Sequence, residues 1–445
     1  MGRLLQRRLT KASVFSSLLT LAALLVAACG GGGQGQASPP AQSLQGQSME
    51  VAAVWTGTEQ ANFKQILDAF KAKTGVNYTF TSTGDNIGTV LGSRLAQKNP
   101  PDVAVLPQPG LLNDLAKQNA LFELDSATKS TVQTNFSSDL ASLVTVNGKI
   151  YGVPFKAANK STFWYNTKAV KSAGVTSAPA TWSDLVKDAK TVAASGTPAL
   201  AMTGGDGWTL TDWFENVYLS QAGPDKYDQL AKHQIKWTDD SVRQALTTLA
   251  QLWGDNTLLA GGRQAATSTA FMDAAPWIVS SPPKAAMLYE ADFVQGVLTS
   301  TAKATPKTDF DFWPFPAAGS TKSFVVGGGD IAVMMKDTPA AKALVQYLAT
   351  PDAAMPWIKA GGFTSPNKKV DTSQYPDPVA SASAKQLTSA SVFRFDMSDL
   401  APSAFGGTKG KGEWADLQAF LANPTTIDAT MQQLEKDAAA AYGPA

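Results

Sequence analysis

Residues 49–115 read MEVAAVWTGTEQANFKQILDAFKAKTGVNYTFTSTGDNIGTVLGSRLAQKNPPDVAVLPQPGLLNDL, and this pattern indicates the fold class. Three short apolar segments, at 50–55, 76–82 and 102–106, have the composition of β-strands. Each is followed by a stretch whose apolar residues recur at the spacing of a helical face. Strands that alternate with helices form parallel sheets with right-handed crossovers, so the sequence predicts an α/β lobe.

The first helix of this stretch has the clearest signals. Its predicted buried face consists of Phe63, Ile66, Leu67 and Phe70. Gly75 follows, and glycine commonly ends a helix because it adopts the left-handed conformation at little cost. Thr56 and Glu59 have the spacing of a capping box, in which the two side chains satisfy free N–H groups at the helix start.

Ligands of open α/β sheets bind beyond the carboxyl ends of the strands. Here those ends are the turns 55–59, 83–86 and 107–110, which are polar and contain an aromatic residue. The candidate ligand-binding residues in these turns are Trp55, Glu59, Asp85, Asn86 and Gln108. Each of the first four has a structural alternative: core packing for the tryptophan, and helix capping for the glutamate, for Asp85 and for Asn86.

The composition of the chain excludes several classes of function. The 445 residues are 44% hydrophobic and 16% charged, which is typical of a globular protein of two or three domains. A net charge of +1 argues against nucleic acid as a partner. One Cys and one His exclude an internal disulfide and any site that needs two imidazoles, so we expect no metal site. No phosphate-binding glycine motif follows a strand, and the glycine-rich run 406–412 is predicted to be an exposed loop; we expect no cofactor.

The N-terminus has the organisation of an export signal. Arginines and a lysine precede an apolar stretch that is too short and too interrupted for a comfortable membrane span. It ends in Val26-Ala27-Ala28-Cys29, which resembles the lipobox of bacterial lipoproteins. We therefore predict a signal peptide over 1–28 and lipidation of Cys29. Residues 29–48 are rich in Gly, Gln, Ser and Pro and are predicted to be a flexible tether.

A segment in the middle of the chain, residues 147–166, reads NGKIYGVPFKAANKSTFWYN and begins with the Asn-Gly signal of a β-hairpin. This segment resembles the crossover of extracellular solute-binding proteins of bacterial ABC importers, the sugar-binding family that includes maltose-binding proteins. Further stretches resemble the same family in the same order: Thr181–Leu185, Lys284–Met287, Val326–Asp330, Tyr347–Pro351 and Trp357–Asn367.

The resemblance implies two α/β lobes that are joined by hinge strands and close around a ligand in the cleft, a periplasmic-binding-protein-like fold. It places lobe 1 at 49–157 plus 323–352 and lobe 2 at 158–322 plus 353–445. It also implies a binding protein rather than an enzyme, which captures a carbohydrate and delivers it to a membrane permease. We expect a monomer that its lipid anchors to the outer face of the cell membrane.

The resemblance also suggests ligand contacts from the second lobe and the hinge. These candidates are Asn159, Trp208, Asp212, Glu290, Asp292, Phe293, Gly328, Asp330 and Trp414. Trp208 follows a glycine-rich turn, and aromatic rings there would stack on the apolar faces of a sugar. Asn159 stands where the family often places an acidic or amide contact just after the crossover, and this chain has no acid there. Trp414 could equally pack its helix, and the glycines around Gly328 could equally be a tight strand entry.

Three functions remain open at this stage. The first is a carbohydrate receptor, for an α-glucoside or another oligosaccharide, which the form Tyr289-Glu290-Ala291-Asp292-Phe293 favours by its similarity to α-glucoside receptors. The second is a receptor for another small solute, such as a polyamine. The third is a secreted glycosidase that would use Glu290 and Asp292 as its carboxylate pair.

Overall fold

The computed structural model describes residues 44–443, and the predicted signal peptide, Cys29 and most of the predicted tether lie outside this range. The strands are β1 Ser48–Ala53, β2 Asn77–Ser82, β3 Val103–Leu106, β4 Thr145–Val146, β5 Lys149–Ile150, β6 Gly152–Asn159, β7 Thr162–Asn166, β8 Leu200–Ala201, β9 Met287–Tyr289, β10 Phe310–Pro314, β11 Phe324–Met334 and β12 Val392–Phe395. The helices of the first half are α1 Gly57–Thr74, α2 Ile87–Ala96, α3 Pro109–Lys117, α4 Ser126–Asn135, α5 Ser138–Leu143, α6 Thr167–Ser172, α7 Trp182–Ala194, α8 Trp208–Ala231 and α9 Asp240–Trp253. Those of the second half are α10 Gly262–Ser268, α11 Phe271–Ala274, α12 Val294–Gly296, α13 Pro339–Leu348, α14 Pro351–Ala360, α15 Pro378–Ser389, α16 Met397–Leu400, α17 Ser403–Gly406, α18 Gly412–Ala422 and α19 Ile427–Tyr442.

The first sheet is built on the parallel strands that the sequence predicted. β1 lies between β2 and β3 and pairs with both in parallel, and α1 and α2 connect these strands. β11 pairs with β3 in antiparallel orientation and with β12 in parallel orientation, which extends the sheet. The prediction of an α/β lobe with a parallel sheet at its centre is therefore confirmed for this part of the chain.

The crossover strand β6 leaves the first sheet along β11, with which it pairs antiparallel from Gly152–Val333 to Asn159–Gly327. The glycines of β11 permit this close approach. A Cβ atom at Gly329 would lie 2.4 Å from the carbonyl oxygen of Lys156, and one at Gly328 would lie 2.6 Å from Cε of Lys160. After β6, the chain enters a second sheet of order β10-β7-β9-β8.

Two large hydrophobic cores flank the crossover, and a smaller third cluster packs on the second sheet. One packs around the first sheet, while the other packs around α8, α9, α18 and the second sheet. Trp357 and Ile358 of α14 lie in the first core, against α1. The assignment of all residues after 352 to lobe 2 is therefore wrong for α14, because its apolar face completes the first core.

Several local predictions can be compared with the structure. Gly75 ends α1 in the left-handed conformation, and its N–H donates to the carbonyl oxygen of Lys71, as the sequence predicted. Asn147-Gly148 forms the predicted hairpin between β4 and β5, with positive φ at both residues. The end of the predicted tether is ordered instead, because Leu44 packs on the first core and the N–H of Gly46 donates to Gly75.

We predict that Trp357→Ala lowers the free energy of unfolding by about 3–5 kcal/mol, because it removes a fully buried indole from the first core. Urea denaturation followed by circular dichroism measures this loss. Phe122→Ala is the control, since Phe122 is 43% exposed and its removal should cost much less. Equal losses in the two variants would contradict the placement of α14.

Candidate functional site

A cavity of about 340 Å³ lies between the two cores. Its first wall consists of the turns that follow β1, β2 and β3, which is the edge where open α/β sheets bind ligands. Its second wall is formed by the start of α8, by 270–272 and by α18. Residues of the crossover pair β6 and β11 line the cavity between these walls.

Eight of the fourteen predicted ligand-binding residues line this cavity, namely Trp55, Glu59, Asp85, Gln108, Trp208, Phe293, Asp330 and Trp414. They come from distant parts of the sequence and from both walls. Trp55 and Trp414 are 3% and 5% exposed, so each combines core packing with a small surface toward the cavity.

An aromatic cluster forms part of the second wall. The ring of Trp208 lies 5.9 Å from that of Phe271 and 6.0 Å from that of Phe293, measured between centroids. The glycine-rich turn before α8 brings Trp208 to this position, because a Cβ at Gly205 would lie 2.6 Å from the carbonyl oxygen of Ser268. Asp206 fixes the same turn by accepting a hydrogen bond of 2.6 Å from the N–H of Phe271.

Lys156 of β6 organises the carboxylates on one side of the cavity. Its Nζ donates to Oε1 of Glu59 at 2.8 Å and lies 4.0 Å from Oδ2 of Asp330. The rings of Trp357 and Phe293 are each 5.1 Å from the same nitrogen. The predicted capping box is therefore wrong: Thr56 makes no side-chain cap, and Glu59 pairs with Lys156 because a 4% exposed ammonium needs a counter-charge.

Lys160, just beyond β6, has three carboxylate partners. Its Nζ lies 2.5 Å from Asp396, 3.1 Å from Asp212 and 3.3 Å from Asp399. Asp212 is fully buried in this cluster and does not line the cavity, which corrects its prediction as a ligand contact. Asp399 and Lys160 reach the cavity, so the cluster joins the hinge to the site.

Other predicted contacts also serve the structure instead of lining the cavity. Asn159 donates to Oε1 of Gln386 at 3.1 Å and accepts from the N–H of Ser161. Asp292 accepts a hydrogen bond of 2.5 Å from Thr364. Gly328 packs against Lys160, as described above. All three residues are buried, and their contacts are with neighbouring protein groups rather than with the cavity.

The remaining two candidates also lie off the cavity wall. Glu290 is fully buried, with Oε1 accepting from the N–H of Ala291 and Oε2 without a hydrogen-bond partner in the part of the chain described. Asn86 is an exposed residue of the turn before α2 and does not line the cavity. Neither residue is placed to contact a ligand in this cavity.

Burial changes the protonation of the cavity acids. It raises the pKa of Asp330 to about 7, against the opposing effect of Lys156. It raises the pKa of Asp399 to about 8, with the charge of Asp396 acting in the same direction. The cavity therefore combines carboxyl groups of raised pKa with aromatic faces.

Residues 55–355 match the family model described as bacterial extracellular solute-binding protein. The chain belongs to this family. It is 31% identical to the alpha-glucosides-binding periplasmic protein AglE of Rhizobium meliloti (strain 1021), over 86% of each chain. It is 30% identical to the osmoprotective compounds-binding protein GgtB of Synechocystis sp. (strain ATCC 27184 / PCC 6803 / Kazusa), over 80% of this chain and 85% of the relative.

The solved structure of the bacterial solute receptor AcbH, described as having an exclusive preference for b-D-galactopyranose, matches the fold of this solute-binding protein. The TM-score is 0.77 at 20% identity, with 89% of this chain and 100% of that chain covered. The two-lobed receptor fold predicted from the sequence is thereby confirmed. Family membership also confirms the prediction of a binding protein rather than an enzyme. Within residues 44–443, no helix combines the length and the apolar character needed to cross a bilayer.

Sequence reasoning missed several cavity residues of the solute-binding protein. Lys156 and Lys160 lie inside the segment that resembles the family. Because lysines are rarely buried, their side-chain type does not predict a place in the cavity wall. Asp206 was visible in the glycine-rich turn before Trp208, whereas Asp399 had no distinguishing motif. The glycine-rich run 406–412 is only in part an exposed loop, since Gly407 lines the cavity.

We predict that the free energy of unfolding falls as pH rises from 5 to 8, and that Glu290→Gln reduces this fall. Burial raises the pKa of Glu290 to about 7, so the folded state binds more protons than the unfolded state between the two pKa values. Between these two pKa values, one such carboxyl group lowers the free energy of unfolding by up to about 1.4 kcal/mol for each pH unit. Urea denaturation at pH 5, 6, 7 and 8 measures the slope, and an unchanged slope in the variant would refute this account.

Proposed function

We propose that this protein captures an uncharged carbohydrate, specifically an α-glucoside of one or a few sugar rings, for delivery to an ABC importer. The observation that carries this proposal is the composition of the cavity, where the aromatic wall of Trp208, Phe271 and Phe293 accompanies the carboxyl groups of Glu59 and Asp330. Sugars have apolar C–H faces and polar edges, which rings and carboxyl groups complement.

The relatives support the choice of an α-glucoside. AglE is named for binding alpha-glucosides, and its similarity extends over 86% of this chain. The multiple sugar-binding protein of Streptococcus mutans serotype c is a more distant relative, at 24% identity over 68% of this chain. A cavity of about 340 Å³ is at the small end of ligand pockets, roughly 300–1,000 Å³, so it suits a short saccharide.

The charges of the cavity argue against a polyamine. Glu59 and Asp330 share Lys156, Asp399 pairs with Lys160, and Asp85 and Asp206 lie beside Lys409, so these carboxylates already have ammonium partners. A polyamine would have to compete with these three lysines, whereas a neutral sugar can use the hydrogen-bonding groups that remain.

A glycosidase is also disfavoured by the structure. The carboxylates proposed for it, Glu290 and Asp292, are buried and do not line the cavity. A hydrolytic carboxylate pair must flank the bond that is broken.

The N-terminal residues complete the proposed function. Lipidation of Cys29 would hold the receptor at the outer face of the cell membrane, and the residues before Leu44 would allow it to reach the permease. The basis for this part is the lipobox-like sequence before Cys29 together with the extracellular location that the family description states.

We predict that Trp208→Ala weakens the binding of an α-glucoside such as maltose or trehalose by about 10- to 100-fold, since a stacked ring contributes roughly 1–3 kcal/mol. Isothermal titration calorimetry measures the change. The matched control is Trp277→Ala in the same lobe, because Trp277 is partly exposed and does not line the cavity. If no neutral saccharide binds the wild-type protein, the carbohydrate proposal is wrong.

We predict that Cys29→Ser moves the protein from the membrane fraction to the medium when it is expressed in a bacterium without an outer membrane. The serine cannot carry the thioether-linked lipid, so the mature protein loses its anchor. Fractionation with immunoblotting, together with labelling by a radioactive fatty acid, measures both effects. Retention of Cys29→Ser on membranes would contradict lipid anchoring through this residue.

A further inference from the structure

A single lysine joins the two walls of the cavity at one end. Nζ of Lys409 lies 3.6 Å from Oδ2 of Asp85 and 3.7 Å from Oδ1 of Asp206. Asp85 belongs to the turn after β2 on the first wall, whereas Asp206 precedes α8 on the second wall. Both carboxylates line the cavity, and the Lys409 side chain is 43% exposed, so the bridge stands between the cavity and solvent.

The backbone around this bridge is held in place on both sides. Oδ2 of Asp206 accepts the hydrogen bond from Phe271, which directs Oδ1 toward Lys409. The amide of Gln108, on the first wall, donates to the carbonyl oxygen of Gly406 at 3.3 Å. A Cβ at Gly407 would lie 2.5 Å from that amide, which shows how close the loop lies to the first wall.

The electrostatics favour a cation beside Asp85 and Asp206. Burial is the main cause that raises the pKa of Asp85 to about 6, and the charge of Asp206 is the next cause. Two carboxylates that face each other across a gap repel when both are ionised. Lys409 lowers this repulsion, and because the three groups come from the two walls, the ion pairs favour the closed arrangement of the lobes.

We propose that Lys409 closes the cavity at this end and thereby limits the length of the ligand. A saccharide that fits within the cavity leaves the bridge intact, whereas a longer chain has to displace Lys409 and separate it from Asp85. This proposal rests on the carbohydrate function proposed above and adds a residue that determines specificity. The proposed bridge also acts in the free protein, so it can be tested without any sugar.

The first test measures the distance between the lobes in the free protein. Cys29→Ser is combined with spin labels at Ser93 of α2 and Lys190 of α7, which are exposed and belong to different lobes. Pulsed electron paramagnetic resonance should show longer and broader distances for Lys409→Ala than for the wild type. Lys409→Arg, which keeps the charge, and Lys411→Ala, an exposed lysine of the same loop, should both retain the wild-type distribution. An unchanged distribution in Lys409→Ala would overturn the bridge.

The second test measures ligand length by calorimetry with maltose, maltotriose and maltotetraose. The wild type should bind maltose at least about 10-fold more tightly than maltotetraose, and Lys409→Ala should reduce this ratio by about 10-fold while Lys411→Ala leaves it unchanged. A ratio that is the same in Lys409→Ala as in the wild type would overturn the length limit. If none of the three sugars binds the wild type, the function proposed above fails for maltosides and the length limit fails with it, while the label distances still decide whether Lys409 bridges the lobes.

Discussion

Two buried lysines on one crossover segment, Lys156 and Lys160, constrain the rest of the site. An ammonium group removed from water is stable only when carboxylates or other polar groups surround it. Lys156 draws Glu59 and Asp330 together, and Lys160 does the same for Asp212, Asp396 and Asp399. Because these carboxylates come from both lobes and from the strand that returns between them, the two lysines connect the halves of the molecule electrostatically.

Glycine residues allow the close backbone contacts that position the two lysines and the cavity wall. The crossover can lie against β11 because Gly329 has no side chain where the carbonyl oxygen of Lys156 passes, while Gly328 leaves room for the side chain of Lys160. On the second wall, Gly204 and Gly205 similarly allow the turn before α8 to contact the carbonyl groups of 266–268. The positions of the cavity acids and of Trp208 therefore follow from close backbone contacts, which fix them without a ligand.

This arrangement suits a receptor that releases its ligand unchanged. The aromatic cluster gives the cavity area for the apolar faces of a ligand, while the acids that remain near Lys156 provide directional hydrogen bonds. A ligand shifts such a protein toward the closed state when it binds that state, in which both lobes contact it, more tightly than the open state. The same carboxylates that would recognise a ligand also balance the lysines of the hinge, so ligand recognition and lobe position share one set of charges.

The amino-acid sequence alone predicts the parallel strands, the turns at their carboxyl ends and the family, because hydrophobic periodicity and glycine positions are local properties. It also placed Asp85, Gln108 and Trp208 at the cavity, since strand ends and a glycine-rich turn are visible in one dimension. Which acids reach the cavity depends on tertiary contacts that the local sequence does not contain. Glu290 and Asp292 are as buried as Asp330, but only Asp330 lines the cavity. The pairing of Glu59 with Lys156 joins residues 97 positions apart, and no local pattern contains that distance.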